Sequence, residues 1–186
     1  ILDTVYAAIL AKDTPRLIMN FATAELVKVA ANSFLATKIS FINAMAEISD
    51  VTGANVTQLA DAIGYDARIG RRFLNAGIGF GGGCLPKDIR GFVARAEELG
   101  VGHSLAFLKD VDDINLRRRS RVVDILTEEL GALQGKKIAV WGTSFKPDSD
   151  DIRDSPALDI AESLARAGAT VISADPEGWK PASARI

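Results

Sequence analysis

From Ala24 to Val51 the apolar residues Leu26, Val29, Ala30, Phe34, Ile39, Ile42, Met45, Ala46 and Ile48 recur at helical spacing. The pattern predicts one helix over 24–51, with Thr23 as its N-cap and Gly53 beyond its end. No wide polar face interrupts it, so such a helix must be buried on most sides, either centrally or in a subunit interface. Two polar residues break the apolar spacing, Lys28 and Asn32, four apart and therefore on one face. Either Lys28 snorkels to solvent while Asn32 bonds a neighbouring helix, or an ammonium and an amide converge on a ligand.

The second constraint is Gly77-Ile78-Gly79-Phe80-Gly81-Gly82-Gly83-Cys84-Leu85-Pro86-Lys87-Asp88, five of whose first seven residues are glycine. It runs into the only cysteine of the chain and then into Pro86, a residue suited to the first turn of a helix. The helix predicted from there stops near Gly100. Cys84 then stands just ahead of a helix N-terminus, where the dipole favours a thiolate. The glycines are expected to leave backbone N–H groups open to a ligand. A lone cysteine is more often a small buried hydrophobe, and a glycine run more often a flexible loop.

The other segments are shorter. Leu2–Leu10 reads as a short amphipathic helix before Pro15, and since Ile1 is not an initiator residue the chain reads as a piece of a longer protein. Asn55 starts a helix over 56–63 that Gly64 is expected to cap. Arg68, Arg71 and Arg72 then form a basic turn, suited either to solvent or to a phosphate. Residues 104–131 predict another long helix. After Gly131 the pattern changes to a strand over 138–142, a polar loop over 143–154, a helix from Pro156 and a second strand over 170–174. This order is a βαβ unit with a parallel pair, and a ligand is expected at its Thr143–Arg153 loop. The loop carries only Gly142, so no dinucleotide site is read from it.

A net charge of −2 gives no electrostatic reason to expect nucleic acid or an anionic membrane. No apolar run approaches the length of a membrane span. One cysteine excludes an internal disulfide and fits a reducing, cytoplasmic setting, and with His103 the only histidine no zinc site is expected.

Taken together, residues 24–41, the block from Arg68 to Asp88, Phe145-Lys146-Pro147 and 151–156 resemble the nucleotide-sugar dehydrogenases. The resemblance implies a mainly α fold: a helical dimerisation domain over 1–132, like the C-terminal domain of 6-phosphogluconate dehydrogenase. The start of an α/β Rossmann-like UDP-binding domain follows over 133–186. It implies a homodimer through helix 24–51 and an NAD-binding Rossmann domain outside these residues, with a catalytic threonine and glutamate, so this stretch alone is expected to be inactive. The implied reaction is the oxidation of the C6 alcohol of UDP-glucose to a carboxylate with two NAD. GDP-mannose or UDP-N-acetylmannosamine is the alternative substrate, and a non-catalytic dimerisation module the alternative class.

By the same resemblance Cys84 is the nucleophile, Lys28 and Asn32 hold the reacting oxygen, and Asp88 assists proton transfer or orients water. Phe73, Asn75, Phe80 and Gly81 line the sugar and pyrophosphate, with Phe73 standing where some members have tyrosine. Arg68 reaches the substrate of the neighbouring subunit, Lys146 approaches the substrate from the second domain, and Arg153 lies nearer the cofactor.

Overall fold

The computed structural model describes residues 1–184. Two short helices, α1 (Leu2–Val5) and α2 (Ala7–Leu10), precede the long α3 (Phe21–Thr52). Helix α4 (Val56–Gly64), the 65–84 loop, α5 (Leu85–Glu98), a 3-10 turn (Gly102–Leu105) and α6 (Phe107–Leu130) complete the helical part. Then come β1 (Lys137–Trp141), α7 (Pro156–Arg166), β2 (Thr170–Ala174) and α8 (Trp179–Ala182). The fold is therefore mainly α, followed by a βαβ unit. The strands pair in parallel, Lys137 opposite Thr170 through Trp141 opposite Ala174. Among the described residues no helix is long and apolar enough to cross a membrane.

Helix α3 begins three residues earlier than its apolar pattern. Its N-cap is Asn20, whose side chain accepts from Thr23 N at 2.8 Å, so Thr23 is the residue being capped. Gly53 closes the helix in the left-handed conformation at φ 74°. The other reassigned cap is Gly64, which is the last helical residue of α4, with Tyr65 as the C-cap. A Cβ there would come within 2.9 Å of the Arg71 backbone, so glycine at 64 serves close packing. Asn55 and Ser155 cap α4 and α7 as expected.

The inner face of α3 is small and polar: Ser33, Ala36, Ser40, Ile42, Asn43, Ala46 and Ser49 are its buried residues. Small side chains let α5 and α6 approach closely, and Ser40 Oγ donates to Val111 O at 2.7 Å. The large apolar residues Phe21, Leu26, Val27, Phe34, Phe41, Ile48 and Val51 are exposed instead. Within a single chain α3 is thus not buried on most sides, because only a narrow stripe, mostly small residues around Ile42, meets its neighbours.

Three apolar clusters position the site. Ala36, Phe80, Ile89, Val93, Leu108 and Val111 tie the glycine loop to α3, α5 and α6. Ile42, Ala60 and Leu74 anchor α4 and the 65–77 segment. Leu133, Ile160, Leu164 and Ala169 seal the βαβ unit, with Val122 and Leu126 of α6 packed against them.

Candidate active site

Cys84 is the N-cap of α5, its thiol is exposed and it makes no capping hydrogen bond. The Cys84 carbonyl accepts from Asp88 N at 2.8 Å, which places Asp88 one helical turn further on the same face. Asp88 is only 6% exposed, and three side chains meet its carboxylate. Lys28 Nζ and Asn32 Nδ2 both donate to Oδ2 at 2.6 Å, and Lys87 Nζ donates to Oδ1 at 2.6 Å. Lys28, then Lys87, hold the Asp88 carboxyl well below the usual carboxylate range despite its burial. The i, i+4 pair on α3 therefore converges on a residue of the protein, one turn from the thiol. Asn32 bonds a neighbouring helix, while the Lys28 side chain reaches solvent and is ion-paired at once.

The glycine run has a different physical reason from the expected one. Gly79, at φ 98°, lies against Asn115, and a Cβ on Gly82, at φ 85°, would meet the Phe145 ring at 2.6 Å. A Cβ on Gly81 would overlap the Asp154 carbonyl, and one on Gly83 would lie 2.6 Å from the Arg153 guanidinium. The chain's own 145–156 segment occupies the space beside these glycines, and Gly82 N donates to Arg153 O at 2.8 Å. The N–H of Gly82 is thus taken by the protein itself and not left for a ligand. Gly81→Ala must separate two backbones, an overpacking that is expected to cost about 1–3 kcal/mol. A urea unfolding midpoint equal to that of the wild type would refute this.

Phe80 lies in the core at 7% exposure. Its N–H donates to Asn115 Oδ1 at 2.6 Å, and its carbonyl accepts from Asn115 Nδ2 and Arg119 Nη2, each at 3.0 Å. With ring and backbone both engaged internally, Phe80 holds the loop in place. Asn115 and Arg119 were not singled out from sequence for the site. The signal was present, because they continue the buried stripe Leu108, Val111 of α6 at the same spacing.

Arg68, Phe73 and Asn75 lie on the separate 65–77 loop. The exposed Arg68 guanidinium pairs with Asp66, its Nη2 at 2.6 Å from Oδ2. Phe73 has φ 66° and a partly exposed ring, and Asn75 Oδ1 accepts from Arg71 Nη1 at 2.8 Å. Arg71 also bonds Asp61 and the Leu74 carbonyl, so it staples the loop. Lys38 Nζ donates to the carbonyls of Ile69 and Gly70, and Gly77 N donates to Asn43 Oδ1.

The expected crevice at the C-terminal ends of the strands is present, about 300 Å³, with Gly142, Ser144, Lys146, Ser149 and Asp175 among its lining. Asp175 accepts from the N–H groups of Thr143, Ser144, Glu177 and Gly178. Those bonds, with Gly178 and Thr143 first, keep it ionised far below the usual range. The Lys146 ammonium lies 5.4 Å from the centroid of the Phe145 ring. Arg153 is held by Asp151, with Nη2 at 2.6 Å from Oδ2, and lies against Gly83 beside Cys84.

Comparison with known proteins identifies the family. Residues 22–117 match the central domain of the UDP-glucose/GDP-mannose dehydrogenase family, and residues 139–185 match the UDP binding domain of the same family. The chain is 46% identical to UDP-glucose 6-dehydrogenase TuaD of Bacillus subtilis over 165 residues, covering 89% of this chain and 35% of that protein. A UDP-glucose dehydrogenase from Pyrobaculum islandicum superposes with a TM-score of 0.93 at 40% identity, over 98% of this chain and 41% of that one. A UDP-D-ManNAc dehydrogenase from Pyrococcus horikoshii gives 0.73 at 29% identity, over 86% of this chain and 37% of that one. The chain therefore spans less than half the length of these relatives. It belongs to the UDP-glucose/GDP-mannose dehydrogenase family.

Proposed function

We propose that the protein oxidises the C6 alcohol of UDP-glucose to the carboxylate of UDP-glucuronate, with Cys84 as the covalent nucleophile of the second oxidation. The observation that carries this reading is the convergence of Lys28, Asn32 and Lys87 on Asp88, one turn from an exposed thiol at a helix N-terminus. UDP-glucose is preferred over the other nucleotide sugars because the likeness to the UDP-glucose enzyme of Pyrobaculum islandicum exceeds that to the UDP-D-ManNAc enzyme.

In this reading the Cys84 thiolate adds to the C6 aldehyde, giving a thiohemiacetal whose oxyanion Lys28 and Asn32 stabilise. Loss of hydride leaves a thioester on Cys84, and water hydrolyses it to the acid and the free thiol. Asp88 is ionised through the neutral range, so it acts by orienting Lys28 and Asn32 and not as a proton donor. NAD, when bound, takes a hydride in each of the two oxidations. Arg153 fits a role toward it, being an exposed cation fixed by Asp151 next to the nucleophile loop.

Lys146, Phe73, Asn75, Phe80 and Gly81 belong to the substrate side, and Arg68 is assigned to the substrate of the neighbouring subunit. The homodimer is proposed through α3, whose large apolar residues face outward where a second copy would cover them. Residues 1–132 then serve as the dimerisation domain and 133–186 as part of the UDP-binding domain, in a cytoplasmic enzyme. The test is the full-length protein with NAD and each of UDP-glucose, UDP-N-acetylmannosamine and GDP-mannose, following NADH by absorbance. Two NADH per UDP-glucose, with the highest kcat/KM of the three, is expected. A higher kcat/KM for another sugar would move the substrate, and no NADH from any would refute the reading.

A further inference from the structure

We propose that Arg119 is a positioning residue that locks the nucleophile loop to the 153–154 turn, so that Cys84 and Arg153 are presented to substrate as one unit. The inference rests on the function proposed above. Arg119 lies on α6 and is 6% exposed. Its guanidinium reaches three segments distant in sequence. Nη2 donates to Phe80 O at 3.0 Å in the glycine loop, and Nη1 donates to Asp154 Oδ1 at 2.7 Å and to Asp159 of α7.

The planar fork matters because a single ammonium cannot serve a carbonyl and two carboxylates in these directions. The surroundings are built for it. Asn115, one turn earlier on α6, pairs with both backbone groups of Phe80, and Arg90 Nη1 stands 3.6 Å from Asp154 Oδ2. Asp154 has φ 47°, a left-handed turn conformation that aspartate adopts more readily than most residues and that turns its neighbour Arg153 toward the glycine loop. Gly81 admits the Asp154 carbonyl at a distance no side chain would allow, and Gly82 N donates to Arg153 O at 2.8 Å. A buried ion cluster is weak evidence for stability, since apolar residues of similar volume serve that end as well. Its geometry is specific, however: it fixes Phe80, four residues before Cys84, relative to Asp154, the neighbour of Arg153. Arg153 in turn feels the thiol, its pKa being raised mainly by Asp151 and to a smaller extent by Cys84.

The test uses full-length Arg119→Lys, Asp154→Asn and the double variant. Arg119→Lys keeps the charge and loses the fork. With UDP-glucose and NAD, its kcat is expected to fall about 10²-fold, as for a small misplacement of a reacting group, with KM changed by less than about threefold. The double variant is expected to be no slower than the slower single variant, because both break the same contact. Wild-type kcat in Arg119→Lys, additive losses, or a fall in kcat explained wholly by unfolding at the assay temperature would overturn the proposal. If the wild type itself oxidises no nucleotide sugar, the function reading fails separately. The lock is then read from alkylation of Cys84 by iodoacetamide, expected to slow several-fold in Arg119→Lys as the thiol loses its place beside Arg153. An unchanged alkylation rate would overturn it.

Discussion

Replacing Cys84 with serine in the full-length protein is expected to lower steady-state NADH formation from UDP-glucose by about 10³-fold or more, while the protein melts no earlier than the wild type. The two halves of this result come from different parts of the geometry. Position 84 is exposed and its side chain makes no capping bond, and serine differs from cysteine by one atom, so stability should hold. In the proposed reaction the thiolate is the nucleophile, and a serine hydroxyl in its place needs an adjacent general base. The nearest carboxylate along the helix, Asp88, has both oxygens occupied by Lys28, Asn32 and Lys87. It is therefore poorly placed to accept a proton from residue 84. A loss of 10³ corresponds to about 4 kcal/mol of transition-state stabilisation. In the proposed reaction only the second oxidation uses the cysteine, so a short burst of NADH followed by a stall is the expected trace. Unchanged turnover in Cys84→Ser would make the cysteine a packing residue and end the covalent mechanism.

The sequence made some features plain and hid others for a common reason. Features set by neighbours along the chain were readable. The caps at Asn55, Ser155 and Gly53, the start of α5 at Cys84–Pro86, and both strands follow from local propensity and periodicity. Lys28 and Asn32 were readable as a pair on one helix face, but not as partners of Asp88, which lies 60 and 56 residues away. Glycine is the clearest case. A run of glycines signals absent side chains, and only the fold shows that Phe145, Arg153 and Asp154 fill the space. The spacing of Asn115 and Arg119 after Leu108 and Val111 marks them as inward-facing, but their shared partner, the Phe80 carbonyl, is a backbone group with no sequence signature. The apolar period of α3 was read correctly as a helix, and its large apolar residues are exposed within the single chain, which leaves the subunit interface as the alternative to be tested. Periodicity reports which residues are apolar, whereas the close approach of α5 and α6 selected the small ones.

Asp88→Asn separates the positioning and stabilising parts of the same carboxylate. An asparagine offers one acceptor oxygen, and its NH₂ would face an ammonium, so Lys28 and Lys87 cannot both keep their 2.6 Å partners. Loss of the anchor is expected to lower kcat by about 10²-fold, because Lys28 and Asn32 then reach the reacting oxygen from unfixed rotamers. Stability at pH 7 is expected to fall by about 1–3 kcal/mol, toward the lower end because both lysines reach solvent and are screened. The pH dependence supplies the sign. The folded carboxyl titrates below its unfolded value of about 3.9, so its contribution is complete above that value and is lost as pH falls through the folded one. The gap between wild type and Asp88→Asn, measured as urea midpoints at several pH values, should be constant from neutral pH down to about 5 and should narrow below about 4. A gap that stays constant to about pH 2 would mean that Asp88 is not the charged centre of this cluster. A narrowing gap with wild-type kcat would leave Asp88 a stabilising residue and remove it from the reaction.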